Sequence, residues 1–400
     1  MNVSEKILQN RIDSIDILRG IVMVIMALDH VRDYFHITAN TDDPLNLETT
    51  TLALFYTRWI THFCAPIFVF LSGCSIYLQS LRKTKIELSK FLIFRGLWLV
   101  FAEFIIISFG WTFNPNYNFI ILQVIWAIGI SMILLGILIH LPYKLLLALG
   151  LLIVIGHNLF DIAESNPDFK PGFWWDLFHS GHFSAYTYAK NHAVFIVYPF
   201  PAWTGIMITG YCAGKLYTQA HSIEKRIRVF NYLGLTLIAI FIVLRYTNIY
   251  GDPIPWNLNK DFISTFLSFV NVNKYPPSFL FICMTIGPAF FILSYLENKN
   301  NRFTRIISNY GRVPFFYYIA HIYWIHLIAA ILFFINGNNL ENIKNTGQNF
   351  PFYFVIPGEG YPLIVVYLIW IFVVLTLYPL CKWYDLYKKS HKENRWLSYL

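Results

Sequence analysis

The stretch that decides the fold is "ILRGIVMVIMALDHVRDYFH", residues 17–36. It carries Arg19 near its start, runs through apolar residues long enough to cross a bilayer core of about 30 Å, and ends with Asp29, His30, Arg32, Asp33 and His36 packed into two turns. An ionisable group inside a membrane span costs at least about 2.5 kcal/mol on insertion scales, so it marks a functional site by default. Around an ideal helix at about 100° per residue, Asp16, Arg19 and His30 fall within about 60° of one another, while Asp29, Arg32 and His36 point the other way. His30 lies about 16 Å beyond Arg19 along the axis. One helix face therefore joins a cation near one membrane surface to an imidazole in the far half.

The rest of the chain repeats the apolar theme. Of its 400 residues 56% are hydrophobic and 13% charged, against about 25% charged in soluble domains. Apolar runs at about 15–36, 57–80, 91–111, 118–140, 143–161, 192–216, 229–247, 276–296, 313–335 and 362–383 give an expectation of ten spans. A lipid-facing backbone must satisfy its own hydrogen bonds, so the fold class expected is all-α, a polytopic transmembrane helix bundle forming a single integral-membrane domain over residues 1–400.

Every second connection is basic: Lys6 and Arg11, residues 82–90, Lys144, Lys215 with 225–228, Lys299 to Arg312, and Lys382 with 388–395. The positive-inside rule then places both termini in the cytoplasm. The net charge of +8 is topogenic, and a nucleic-acid partner is not expected. No small-residue cleavage site precedes Ile15, so the first run is expected to stay as an anchor. The five cysteines all lie in apolar runs and form no C-x-x-C pair, which reads as buried packing. Aromatic residues, 19% of the chain, suit the interfaces, with a minority reading as stacking surfaces for a sugar. No span shows a clear small-xxx-small seam, although a homodimer is compatible with so apolar a chain.

The candidate catalytic residues are His30, Asp29, Asp33, Arg32 and His62. Arg58 and His62 close the outer end of the second run, level with the His30 cluster. The candidate substrate- or cofactor-binding residues are Asp16, Arg19, Arg58, Arg95, Glu103, His321 and His326. A histidine serves as base near neutral pH, an Asp neighbour orients it, and Arg32 or Arg58 supplies donors to an oxyanion. His321 and His326, five residues apart, diverge by about 140° and do not share one metal. Asp176, His179 and His182 make a thin zinc pattern. No metal is expected, and solvated loop histidines are the simpler reading.

"RIDSIDILRGIVMVIMALDHVRDYFH" (11–36) and "RWITHFCAPIFVFLSG" (58–73), with 198–217, 311–327 and 381–400, resemble the bacterial branch of the heparan-α-glucosaminide N-acetyltransferase catalytic-domain family. The Asp16-x-x-Arg19-Gly20 pattern with His30 also looks like the acyltransferase-3 group. The resemblance implies a plasma-membrane (bacterial inner-membrane) enzyme that takes acetyl-CoA from the cytoplasm and moves the acyl group to an amine or hydroxyl of a sugar or glycan outside. It implies that His30 matches the acyltransferase-3 histidine and His321 the one in the late span. The animal lysosomal members carry an asparagine near His30 and their active histidine further on, where residues 37–56 here have none. The resemblance therefore does not fix the active histidine. The rival reading is a proton-coupled transporter or flippase of a glycan or lipid-linked substrate, for which buried charges are equally expected, although no inverted repeat is visible.

Overall fold

The computed structural model describes residues 12–179, 183–346, 351–391, 393, 394 and 397. The protein is predominantly helical. Helix α1 spans Asp13–Phe35 and its flanks meet helices from both halves of the chain. It is followed by α2 (Leu52–Thr61), α3 (Cys64–Ser80), α4 (Lys85–Ala102), α5 (Val124–Leu138), α6 (Tyr143–Gly156), α7 (Phe200–Ala213), α8 (Ile223–Thr247), α9 (Phe279–Leu296), α10 (Arg302–Arg312), α11 (Pro314–Ile335) and α12 (Leu363–Ser390). The principal pairings are α4 with α5, α8 with α9, α3 with α7, and α1 with α10, α11 and α12.

Among the described residues, seven helical stretches are long and apolar enough to cross a membrane: 52–80, 85–112, 143–164, 223–247, 279–296, 314–335 and 363–390. They correspond to seven of the ten expected spans. Only 17% of the most apolar window of α8 and of α12 is buried, against 78% for α9. Helices α8 and α12 thus form the outer wall, while α9 lies in the core beside α1.

The other three expected spans have physical reasons to differ. Helix α1 is 23 residues long but carries too many charges to pass as an apolar span. The runs at 118–140 and 192–216 each begin as a strand. Strand β1 (Phe119–Leu122) pairs parallel with β3 (His192–Ile196), and β2 (Ser184–Ala189) pairs antiparallel with β3. The sheet order is β1-β3-β2, with Phe119 opposite Ala193 and Ser184 opposite Ile196. β-Branched and aromatic residues dominate "FIIL" and "HAVFI" and favour extended backbone. An all-helical bundle is therefore corrected to a helical bundle with a small three-stranded sheet at one end.

Two local devices shape that end. The run 52–80 breaks at His62–Phe63, between α2 and α3. Pro66 sits in the first turn of α3 and lacks the N–H that would bond the His62 carbonyl, so the helix restarts there. The segment 351–361 straps across the end of α1, with Tyr361 N donating to Phe35 O at 2.7 Å and Ile37 N to Tyr361 O at 3.2 Å.

Candidate active site

His30 on α1 meets His321 on α11, with Nδ1 of His30 2.7 Å from Nε2 of His321 and the two rings within 14° of coplanar. His321 is fully buried, and its Nδ1 lies 2.8 Å from the Tyr317 carbonyl. A carbonyl only accepts, so His321 Nδ1 carries the proton and donates. In the neutral ring Nε2 then holds the lone pair, and His30 Nδ1 must donate to it. The tautomer assigned in this way leaves His30 Nε2 unprotonated and available as a base. Trp111 stands edge-on to the His30 ring at 4.7 Å. The ring is held by a histidine from the far end of the chain, and neither Asp29 nor Asp33 orients it.

The carboxylates serve a different network. Asp29 Oδ1 accepts from Arg32 Nη2 at 2.9 Å and Oδ2 from Arg58 Nη1 at 2.5 Å. Asp33 Oδ1 accepts from the same Arg32 nitrogen at 2.6 Å. Two carboxylates and two guanidinium groups offset each other's charge, as buried ions require. Lys274, buried on the connection before α9, is a third cation beside this network and forms no ion pair among the described residues. Burial raises the Tyr275 hydroxyl, but Lys274 and Arg58 beside it more than offset this and hold it below the ordinary tyrosine range. His62 is also buried, and its Nδ1 has no hydrogen-bond partner. His36 caps the end of α1 and bonds Thr38.

A small chamber of about 40 Å³ adjoins His30. Asp29, Lys274, Gln123, Tyr198 and Tyr318 line its polar side, and Met23, Met26 and Phe68 its apolar side. A far larger cavity of about 1510 Å³ opens at the other end of α1. Its wall includes Arg19, Arg82, Lys83, Arg95, Arg312 and Lys388, against only Asp16 and Glu87 as carboxylates. Phe68 and Ile125 line both cavities. The basic vestibule and the His30 chamber therefore lie against the same two side chains, on α3 and α5.

The Asp16-x-x-Arg19-Gly20 pattern has a packing explanation. Arg19 donates to Leu71 O at 3.3 Å, Ser75 Oγ at 2.6 Å and Gly311 O at 3.3 Å, and pairs with Asp16 at 3.4 Å. It ties α1 to α3 and α10. A Cβ on Gly20 would lie 2.1 Å from Ile307 O, and one on Gly311 would lie 1.9 Å from Asp16 O. Only paired glycines let α1 and α10 approach so closely.

Two expected binding residues are placed elsewhere. Glu103 is fully buried in a π-helical turn of residues 103–107 and accepts from the backbone N–H groups of Gln123 at 3.1 Å and Trp126 at 2.9 Å. It caps the start of α5 and thereby fixes Gln123 in the chamber wall. His326 faces Gly110 O at 2.9 Å and Tyr353 O at 2.8 Å, and Phe113 stacks on it at 3.8 Å. It fastens the strap segment and lines neither cavity. His321 and His326 do diverge. Asp176 accepts from Tyr186 at 2.6 Å, His179 turns to Asp161, and His182 lies outside the described residues. Sequence reasoning missed Lys274, Gln123, Tyr198 and Tyr318. A lysine at the lip of an apolar run was the available signal for the first.

The family model for the heparan-alpha-glucosaminide N-acetyltransferase catalytic domain matches residues 11–246, more than half of the chain. No curated protein matches it. The chain belongs to the heparan-alpha-glucosaminide N-acetyltransferase catalytic family, and that membership together with the seven apolar helices makes it a membrane acetyltransferase.

Proposed function

We propose that this protein takes acetyl-CoA from the cytoplasm through the basic vestibule and acetylates the amine of a glucosaminide, or a sugar hydroxyl, that reaches His30 from the opposite side of a bacterial inner membrane. The observation that carries this reading is that Phe68 and Ile125 line both cavities, so the vestibule and the His30 chamber back onto the same side chains. The positive-inside pattern puts the vestibule and both termini in the cytoplasm. Arg19 and Arg312 of the vestibule are paired with carboxylates, and the further cations Arg82, Lys83, Arg95 and Lys388 suit the phosphates of a coenzyme A. A chamber of about 40 Å³ suits a two-carbon acyl group, since about 10–15 Å³ on this measure holds one water.

His30 Nε2 accepts the proton of the acceptor nitrogen or oxygen as that atom attacks the thioester carbonyl. His321 receives the Nδ1–H hydrogen bond and stabilises the imidazolium that forms. The carbonyl becomes a tetrahedral oxyanion, and Lys274, which lines the chamber and forms no ion pair among the described residues, is the cation suited to it. Arg32 is engaged by Asp29 and Asp33 within α1, and Arg58 by Asp29, which holds α1 against α2. Collapse breaks the C–S bond, and the departing thiolate takes the proton from His30. The products are an acetylated sugar and CoA.

CoA release by purified protein from acetyl-CoA, with and without a panel of amino sugars, tests this reading. Acceptor-dependent release that falls at least about a hundredfold in His30→Ala supports it. Full activity in His30→Ala leaves the family intact and removes His30 as base. Sugar flux without CoA release would favour the transporter reading.

A further inference from the structure

The first helical turns after α6 carry a second cluster of metal-ligating groups, remote from the vestibule and with no part in the transfer chemistry. His157 opens the 3-10 turn 157–160, and Asp161 and Glu164 follow at i and i+3 in the helical turn 161–164, so the two carboxylates share one face. His179, from the end of the short helix 173–178, turns onto that face. Ligand atoms of Asp161, Glu164 and His179 lie within 4.8 Å of one another, and His179 Nε2 is 2.8 Å from Asp161 Oδ1.

The independent observation is His157. It is 4% exposed, its ring lies 5.9 Å from that of His179, and neither of its nitrogens has a hydrogen-bond partner. The carbonyl of Pro277 approaches it outside hydrogen-bond geometry. A buried, unpartnered imidazole loses about 1–3 kcal/mol for each unsatisfied polar group, and a metal bond would remove that loss. Asp161 also accepts from Asn158 at 2.7 Å, and Glu164 accepts from Trp175 at 2.7 Å. Carboxylates with hydrogen bonds of this kind are the usual companions of a bound metal.

We propose that Asp161, Glu164 and His179, with the adjoining His157 turning in as fourth ligand, form a structural site for a borderline divalent cation of the zinc class. Two imidazoles and two carboxylates suit a closed tetrahedral zinc site, and the nitrogen ligands disfavour Ca²⁺ and Mg²⁺. Two neutral histidines and two carboxylates carry a charge of −2, which the cation neutralises. The site has a mechanical consequence. Asn158 Oδ1 accepts from Phe279 N at 2.8 Å, at the start of α9, and Lys274 lies five residues earlier on the same connection. A cation at this face braces the segment that presents Lys274 to the His30 chamber.

The test uses the full-length protein in detergent, stripped with chelator and then titrated with Zn²⁺ alone. Metal content and melting temperature are read for wild type, His157→Ala, His179→Ala, Glu164→Gln and Asp176→Asn. The expected result is one Zn²⁺ per chain with a raised melting temperature. His157→Ala and His179→Ala lose both, Glu164→Gln binds about tenfold more weakly, and Asp176→Asn binds like wild type. Glu164→Gln keeps the question open to refutation if either alanine variant fails to fold, because unchanged affinity there overturns the site. Sub-stoichiometric binding in wild type, equal binding of Ca²⁺, or wild-type affinity in His157→Ala also overturns it.

Discussion

The hydrogen bond between His30 and His321 can be broken selectively. In His321→Ala the acceptor for His30 Nδ1–H disappears from a buried position, where the 2.7 Å contact has no solvent to replace it. An unsatisfied buried donor costs about 1–3 kcal/mol, and because the contact strengthens as His30 becomes cationic, most of that loss falls on the transition state. The expected fall in kcat is about 5- to 150-fold. His30→Ala removes the base itself and should cost about 10²- to 10⁴-fold. His321 acts only through His30, so His30→Ala/His321→Ala should be no slower than His30→Ala alone. The coupling energy then equals the whole effect of the single His321 change. His321→Gln offers a carbonyl oxygen near the lost Nε2 and should recover most of the activity, whereas a scaffolding role for the ring would not be rescued. Steady-state CoA release measures all four variants. Additive losses in the double variant, or no rescue by glutamine, would refute the relay.

Three further outcomes follow from the geometry. Gly311→Ala places a Cβ 1.9 Å from Asp16 O and should cost about 3 kcal/mol, seen as a lower melting temperature; Gly156→Ala, whose nearest neighbour is 3.9 Å away, should not. Arg58→Ala should destabilise by about 3 kcal/mol, at the low end for a broken buried pair because Arg32 still bonds Asp29, and Asp29→Asn in the same chain should restore part of the melting temperature. Arg82→Ala with Lys83→Ala, on the exposed rim of the vestibule, should raise KM for acetyl-CoA about 3- to 10-fold with kcat unchanged, and kinetics with a CoA lacking its 3′-phosphate should shrink that difference.

The sequence displayed the helical face of α1 plainly, because the polar residues interrupt a long apolar run at helical spacing. It could not display the groups that complete the site. His321 lies 291 residues from His30, and nothing local to either histidine shows that one orients the other. Glu103 looked like a buried functional carboxylate because an apolar run shows no partner for it, and its partners are backbone N–H groups at the start of α5. Lys274 sits between spans, where a basic residue is normally counted toward topology. The strands hidden in 118–140 and 192–216 follow from the same limit: run length and apolarity do not separate a strand followed by a helix from one long helix.

The double use of α1 explains why its charges tolerate a membrane. Arg19 does not float in the vestibule as a lone cation. Its guanidinium bonds two backbone carbonyls, a hydroxyl and Asp16, which fixes the helix by its N-terminal end against α3 and α10. At the C-terminal end, the Arg58–Asp29 pair fixes α1 against α2, and Arg32 bridges Asp29 and Asp33 along α1. A helix clamped at both ends cannot slide or rotate without breaking a buried ion pair, at a cost of about 3–5 kcal/mol. His30 lies beside the C-terminal clamp, so its ring keeps its register against His321 while ligands pass. The ion pairs thus stabilise the position of a neutral histidine, and this is why the most charged part of the chain surrounds a base that must carry no charge before the reaction begins.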